Sequence, residues 1–241
     1  MKIQHLCKSF DGRVVLDHVS LTLESGGTAC LMAPSGRGKT TLLRCIAGLE
    51  RPDSGQITDL PERIGYVFQE DRLCDGFSAV DNIRLVTGRA MDEGEICRHL
   101  KELGLADSLG QPVRELSGGM KKRAAIARVL AVDPAILMMD EPFAPLDAFT
   151  RQRLQDDILS LWENTGCTIL YVTHDLTEAI TLADRVVLMS ARPGRVVREY
   201  PIDLPRPRRG MDVKFSPRFV ELERAIWQEL EAQLPQEEGR R

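Results

Sequence analysis

The 241-residue sequence is poor in aromatics, at 5%, and has no long apolar run: its longest unbroken stretches hold five residues, such as Ala135 to Met139. A membrane-spanning helix needs about 20 such residues, so no segment is expected to cross a bilayer. The opening MKIQHLCKSF holds no apolar stretch of signal-peptide length, and no export signal is expected there. Six cysteines are scattered without a CxxC pair, which suggests neither a zinc site nor a disulfide framework and suits a reducing cytosol. Positive charge is not in excess: 32 Lys and Arg against 36 Asp and Glu leave a net charge of -4. A general attraction to nucleic acid is thereby excluded, no nucleic-acid partner is expected, and any polyanion must be held at a local site.

What is present is enough apolar material, 43% of the residues, for a substantial core in one large domain or one domain with an inserted lobe. Short β-type runs (Thr28 to Met32, Ile64 to Phe68, Ile136 to Met139, Thr168 to Val172, Arg185 to Met189) alternate with longer helix-like segments, which predicts a mainly parallel α/β sheet. KIQHLCKSF and VSLTLES read as strands of a small N-terminal antiparallel layer joined by the turn signal Asp11-Gly12. Helix formers dominate from about residue 71 to 132, read as a helical subdomain inserted into the sheet domain. The C-terminal segment, about 199–241, begins with DLPRPRRG, read as an extended surface stretch, and ends in a helix starting near Ser216-Pro217. Its apolar positions Phe219, Leu222, Ile226, Leu230 and Leu234 recur every three or four residues.

Polar residues follow the strands. In open α/β sheets ligands bind beyond the carboxyl ends of strands, so Lys39, Gln69, Asp140 and His174 are expected to converge there. The stretch LMAPSGRGKTTLL, residues 31 to 43, nearly matches the phosphate-binding loop GxxxxGK[ST], with Ala33 in place of the first glycine. It follows a strand and opens a helix, the context in which backbone N–H groups and the helix dipole face an anion. Lys39 would reach the β- and γ-phosphates, and the Thr40 hydroxyl would ligate Mg²⁺. Glycine is needed only where φ is positive or a ligand crowds Cβ, and Gly36 and Gly38 remain for that; Ala33 is expected at negative φ.

AILMMDEP ends an apolar strand in two carboxylates. Asp140 would hold Mg²⁺ and Glu141 would polarise the attacking water as general base, against the alternative of a helix-capping Asp-Glu before Pro142. ELSGGMKKRAAIARVLA sets Ser117 and two glycines before a helix, a second anion site. The cluster Lys121, Lys122 and Arg123 reads as a solvated helix face, and His5, His18 and His99 as surface or packing residues. Phe10 taken alone reads as core, and Gln69 alone as a polar strand end.

With these motifs in order (Phe10, the loop at 33 to 40, Gln69, LSGGM, LMMDEP, Asp147, His174), nearly the whole chain resembles the ATP-binding subunit of an ABC transporter. The resemblance implies a P-loop NTPase fold filling one ABC-type domain over residues 1–241, with ATP and Mg²⁺ as ligands. ATP would be bound by Phe10, stacked on adenine, by Ala33, Pro34, Ser35, Gly36, Arg37, Gly38, Lys39, Thr40 and Thr41, and by Asp147. Gln69 would sense Mg²⁺ beside Thr40 and Asp140, and Glu141, His174 and Gln69 would form the catalytic set, His174 touching the γ-phosphate. The family also implies a head-to-tail pair in which Ser117, Gly118 and Gly119 of one subunit close on ATP held by Lys39 of a second ATP-binding subunit, identical or not. Catalysis would then need two chains, the second supplying charge stabilisation to phosphoryl transfer.

Met120, MSARPGRVV and DLPRPR resemble the nitrate, sulfonate and taurine importers within the family. That implies a chain peripheral to the cytoplasmic face of the membrane, coupled to permease subunits and indirectly to a solute-binding protein. Departures are Ala33, Pro145 in FAPLD, and Asp75-Gly76 where Pro-Trp is common. The first two motivate one alternative, a non-hydrolysing regulatory cassette. The other, a nucleotide-switched clamp not coupled to transport, would need a coiled-coil insertion or two cassettes in one chain.

Overall fold

Asp11 and Gly12 both take left-handed φ, 49° and 74°, and so make the tight two-residue hairpin that joins the first two strands. Pairing starts at once, Phe10 with Arg13 and Ser9 with Val14. The second strand therefore begins at Arg13 and ends at Thr22, earlier at both ends than the expected VSLTLES.

The computed structural model describes residues 1–33, 38–144, 146–190, 192–208 and 212–233. In chain order the strands are β1 (Lys2–Phe10), β2 (Arg13–Thr22), β3 (Thr28–Met32), β4 (Ser54–Thr58), β5 (Ile64–Val67), β6 (Ile136–Asp140), β7 (Thr168–Thr173), β8 (Arg185–Met189) and β9 (Val196–Pro201). The helices are α1 (Lys39–Ile46), α2 (Ala79–Thr87), α3 (Glu93–Glu102), α4 (Gly118–Leu130), α5 (Ala148–Thr165), α6 (Leu176–Leu182) and α7 (Pro217–Ala232). They fall into two units, Met1–Pro61 with Thr168–Arg241, and Glu62–Cys167.

In the first unit an antiparallel layer runs β2-β1-β4, and a second sheet runs β7-β3-β8-β9, parallel except for β9. Strands β3 and β7 are buried at every residue, which is why they read as continuous apolar runs without alternation. On α7, Ser216 caps the first turn and Pro217 sits at its start, while Phe219, Leu222 and Ile226 are buried; Leu234 lies outside the described residues. The described part of the DLPRPRRG stretch, DLPRPR, departs from a surface segment: Arg208 is buried, donating to the carbonyls of Leu204, Ile202, Ile180 and Ala183, and Leu204 is core. A guanidinium with several donors can be buried when backbone carbonyls accept them, even though burial lowers its pKa to about 10.

In the second unit β5 and β6 pair in parallel, Ile64 beside Ile136 through Val67 beside Met139. Between them the described chain is helical. Ser78 with Asp81 and Asp92 with Glu95 form reciprocal capping boxes that start α2 and α3. Val80 and Ile83, Ile96 and Leu100, and Ala124 and Ala127 then close a separate apolar core among α2, α3 and α4. The chain is thus an α/β protein with mainly parallel strands, an N-terminal antiparallel layer and an inserted helical segment.

Candidate functional site

The first unit places Lys39 at the start of α1, the next element after β3. Residues Pro34, Ser35, Gly36 and Arg37 lie outside the described residues, as does Pro145 in the second unit. Gly38 caps α1 at φ 87°, and a Cβ there would meet Leu16 Cδ2 at 2.8 Å, Val15 O at 3.0 Å and Val15 Cγ1 at 3.2 Å. Conformation and space both require glycine at this position. Among the described residues the left-handed non-glycine positions are His5, Asp11, His18, Asp59, Arg72, Asp133 and Glu141; Ala33 is not one of them. Ala33 is 3% exposed one residue past β3 and needs no left-handed backbone there.

The Lys39 side chain is 5% exposed and folds back to donate from Nζ to the Ala33 carbonyl at 2.7 Å. Thr40 and Thr41 follow, half-buried, in the first turn. Strand β7 lies beside β3 with Thr173 opposite Met32, so the exposed His174 emerges one residue past the same strand ends. The turn after it is held by Thr173 Oγ1 donating to Glu178 Oε2 at 2.6 Å, and by Asp175 capping α6. Phe10, the last residue of β1, is 41% exposed, with Lys8 Nζ 4.9 Å from its ring centroid. It is therefore no core residue, and one face of its ring already carries a cation.

The second unit gathers the carboxylates. Because Val67 pairs with Met139, Gln69 lies two residues beyond β5 on the side where β6 ends in Asp140, with Glu141 next in the chain. Asp140 is 4% exposed and accepts from the Tyr66 hydroxyl at 3.4 Å. Glu141, half-buried, takes φ 46°, a conformation rarely tolerated by a non-glycine residue and often found where function fixes a side chain.

Ser117 caps α4, its Oγ accepting from the Met120 amide at 3.3 Å. The two glycines that follow differ. A Cβ on Gly119 would lie 2.6 Å from Thr150 Cγ2, so packing on α5 demands glycine, whereas a Cβ on the exposed Gly118 would meet nothing within 4 Å. Asp147 caps α5, accepting from the Phe149 and Thr150 amides at 3.1 Å; its bond with the Thr150 side chain, first among several, holds its carboxyl below the usual range.

The solvated face expected of Lys121, Lys122 and Arg123 is not found. Lys122 is 1% exposed, and its ammonium donates to Gln69 O at 2.9 Å and Phe68 O at 3.3 Å and pairs with Asp71 at 2.7 Å. Arg123 pairs with Asp157 at 2.7 Å. Lys122 thus ties the backbone around Gln69 to the helix that begins at Ser117. The signal for this was its helix face: positions 122, 125 and 126 are buried together at three- and four-residue spacing.

The residues singled out in the sequence divide between the units: Lys39, Thr40 and His174 in one, Gln69, Ser117, Asp140 and Glu141 in the other. A family described as ABC transporter matches residues 16–144. A protein of Pseudomonas syringae pv. tomato described as aliphatic sulfonates import ATP-binding protein SsuB 2 is 42% identical over 201 residues, covering 83% of this chain and 87% of that one. Among solved structures, the fold is similar to a dimeric ATP-binding cassette in a post-hydrolysis state bound to ADP and Pi, with TM-score 0.74 and 29% identity over 85% of this chain and 99% of that one. It is also similar to cbiO1 of Clostridium perfringens, part of the ABC transporter complex cbiONQ, with TM-score 0.76 and 26% identity over 97% and 95% of the two chains.

Proposed function

This chain belongs to the ABC transporter family, and from that premise we propose that it is the ATPase of an importer for an aliphatic sulfonate or a similar small anion of the nitrate, sulfonate and taurine class. It has the P-loop NTPase fold, binds and hydrolyses ATP, and powers import. The observation that carries the solute class is the 42% identity to the sulfonate import protein across 83% of the chain. Among the described residues no contact favours the non-hydrolysing cassette or the clamp.

The residues divide the work as follows. We assign ATP phosphates to the segment 33–41, with Lys39 supplying the cation and Gly38 the close backbone approach. Phe10, half-open at the end of β1, offers a ring face to adenine. Glu141 accepts the proton of the attacking water, and His174 donates to the γ-phosphate. Thr40, Gln69 and Asp140 are an all-oxygen donor set, which suits Mg²⁺, a hard cation. Bound there, Mg²⁺ would neutralise charge on the phosphate oxygens.

The second chain enters through α4. Among the described residues none meets a Cβ at Gly118, which leaves this turn open to a second chain, and we assign it the ATP of a second cassette, facing Ser117, Gly118 and Gly119. Asp147 borders that approach from the start of α5. We assign the remaining partners to permease subunits and, through them, a solute-binding protein, with this chain peripheral on the cytoplasmic face as a single cassette. No described helix is long and apolar enough to cross a membrane.

Uptake of a labelled aliphatic sulfonate by cells lacking the chain tests the reading. Wild type should restore uptake and Lys39→Ala should not, because it removes the one side-chain cation assigned to the transferred phosphate. Restoration by Lys39→Ala, or no sulfonate uptake with wild type, would contradict the assignment.

A further inference from the structure

The cysteine spacing offers no metal motif, but the antiparallel layer builds one across two strands. Leu6 pairs with Val19 and Lys8 with Leu16, so between these pairs a single β1 residue, Cys7, faces two β2 residues, Asp17 and His18. This is a β-bulge, a device that re-aims side chains. It gives His18 a left-handed φ of 50° and turns its amide onto Cys7 Sγ at 3.3 Å. One ligand atom each from Cys7, Asp17 and His18 then lies within 4.8 Å of the others. His18 Nδ1 and Asp17 Oδ1 are already 2.5 Å apart. A second bulge, with Gln4 and His5 facing Ser20, leaves His5 at φ 48° with its ring centroid 6.3 Å from that of His18.

We propose that Cys7, Asp17 and His18 form a binding site for a zinc-class divalent ion, with His5 on the same strand pair as a further nitrogen donor. Thiolate, imidazole and carboxylate together are the ligand chemistry of tetrahedral Zn²⁺ rather than of Mg²⁺. Tetrahedral bonds of about 2.0–2.3 Å put neighbouring ligand atoms about 3.3–3.7 Å apart, so the widest separation needs to contract by about 1 Å and the hydrogen-bonded His18–Asp17 pair to open by about 1 Å. His18 and His5 are exposed and Cys7 half-exposed, so an ion can enter without opening the core. On binding, Cys7 releases its thiol proton to solvent and sulfur donates to the metal, with no change of oxidation state. Asp17 exchanges its exposed partner Arg195, whose guanidinium is left to water. The metal would staple β1 to β2 at the bulge.

The test uses the whole purified chain, stripped of metal and kept reduced, with cobalt(II) as the spectroscopic probe and zinc(II) as competitor. One cobalt(II) per chain should give the intense visible bands of a tetrahedral site and a near-ultraviolet thiolate charge-transfer band, both removed by zinc. Cys7→Ser should abolish the charge-transfer band. His18→Asn, which keeps a residue tolerant of left-handed φ, and Asp17→Asn should each weaken binding by at least about tenfold, the loss that even an outer-sphere partner costs at such sites. Zinc should raise the thermal midpoint of wild type and not of His18→Asn, which also covers the case of a Cys7→Ser chain that folds poorly. Cys74→Ser, at an exposed cysteine outside the cluster, should behave as wild type. The proposal is overturned if no charge-transfer band appears, if it survives Cys7→Ser, if it is lost with Cys74→Ser, or if His18→Asn binds cobalt(II) as wild type does.

Discussion

Replacing Lys122 by Met keeps an unbranched side chain out to Cε and removes the ammonium with its charge and all three donors. The ammonium serves Gln69 O, Phe68 O and Asp71 at once, so the variant leaves two carbonyls and a carboxylate without their cation. Removing one partner of a buried pair costs about 3–5 kcal/mol when the other is fully enclosed. The paired Asp71 Oδ1 is buried, but the Asp71 side chain as a whole is 25% exposed, and burying Lys122 was itself costly, so we expect about 2–3 kcal/mol here. For a chain of this size that corresponds to a fall of about 4–12 °C in the unfolding midpoint, measured by circular dichroism. Lys122→Met with Asp71→Asn should lose less than the sum of the two single variants, because the orphaned carboxylate is gone. If Gln69 also acts in turnover as proposed, Lys122→Met should lower the ATPase rate of the assembled transporter while nucleotide affinity, assigned to Lys39 and Gly38, stays near wild type. An unchanged midpoint, or a double variant whose loss equals the sum, would refute the reasoning.

Gly38→Ala should weaken nucleotide binding and stability together: left-handed φ alone costs an L-residue about 1–2 kcal/mol, and the new methyl meets the Val15 carbonyl. Ala33→Gly should leave nucleotide affinity nearly unchanged; calorimetry on both variants shows whether the two loop positions differ as described. Asp184 gives a pH prediction. Burial pushes its carboxyl up, but the pair with Arg206 at 2.6 Å and the Thr28 amide at 2.9 Å outweigh it, and its pKa in the fold is lowered. Its contribution is therefore complete above the ordinary carboxylate value of about 3.9 and is lost as pH falls through the lower folded value. Wild type should lose its advantage over Asp184→Asn only in that acid range, as thermal midpoints against pH will show.

Strands buried on both faces were the easiest to read: β3 and β8 have the expected ends, set by five consecutive apolar or small residues in β3 and four apolar residues after Arg185 in β8. Ser54–Thr58 and Val196–Pro201 gave no such signal, being largely exposed strands on sheet edges whose pairing comes from tertiary neighbours. The residues proposed to carry phosphate chemistry stand out in the sequence because motif and context coincide: Lys39 opens a helix after a buried strand, and Asp140 ends one. What supports them was not. Lys122 looked like surface charge because a lysine's burial depends on acceptors 51–54 residues away in sequence. The left-handed φ of Glu141 and the bulge that gathers Cys7, Asp17 and His18 are likewise properties of strand ends and registers, which residue types alone do not encode.

The central claim is a two-chain ATPase site with Glu141 as its base, and size-exclusion chromatography of Glu141→Gln with and without Mg²⁺-ATP tests it most directly. Glutamine keeps the shape of the side chain but cannot take the proton, so hydrolysis should fall by about 10²–10⁴-fold while ATP stays bound. The persisting nucleotide should hold two chains together as a stable dimer, and adding Ser117→Arg should abolish that dimer by forcing bulk and charge into the shared face. A Glu141→Gln chain that stays monomeric at saturating Mg²⁺-ATP, or that hydrolyses ATP at the wild-type rate, would contradict the account.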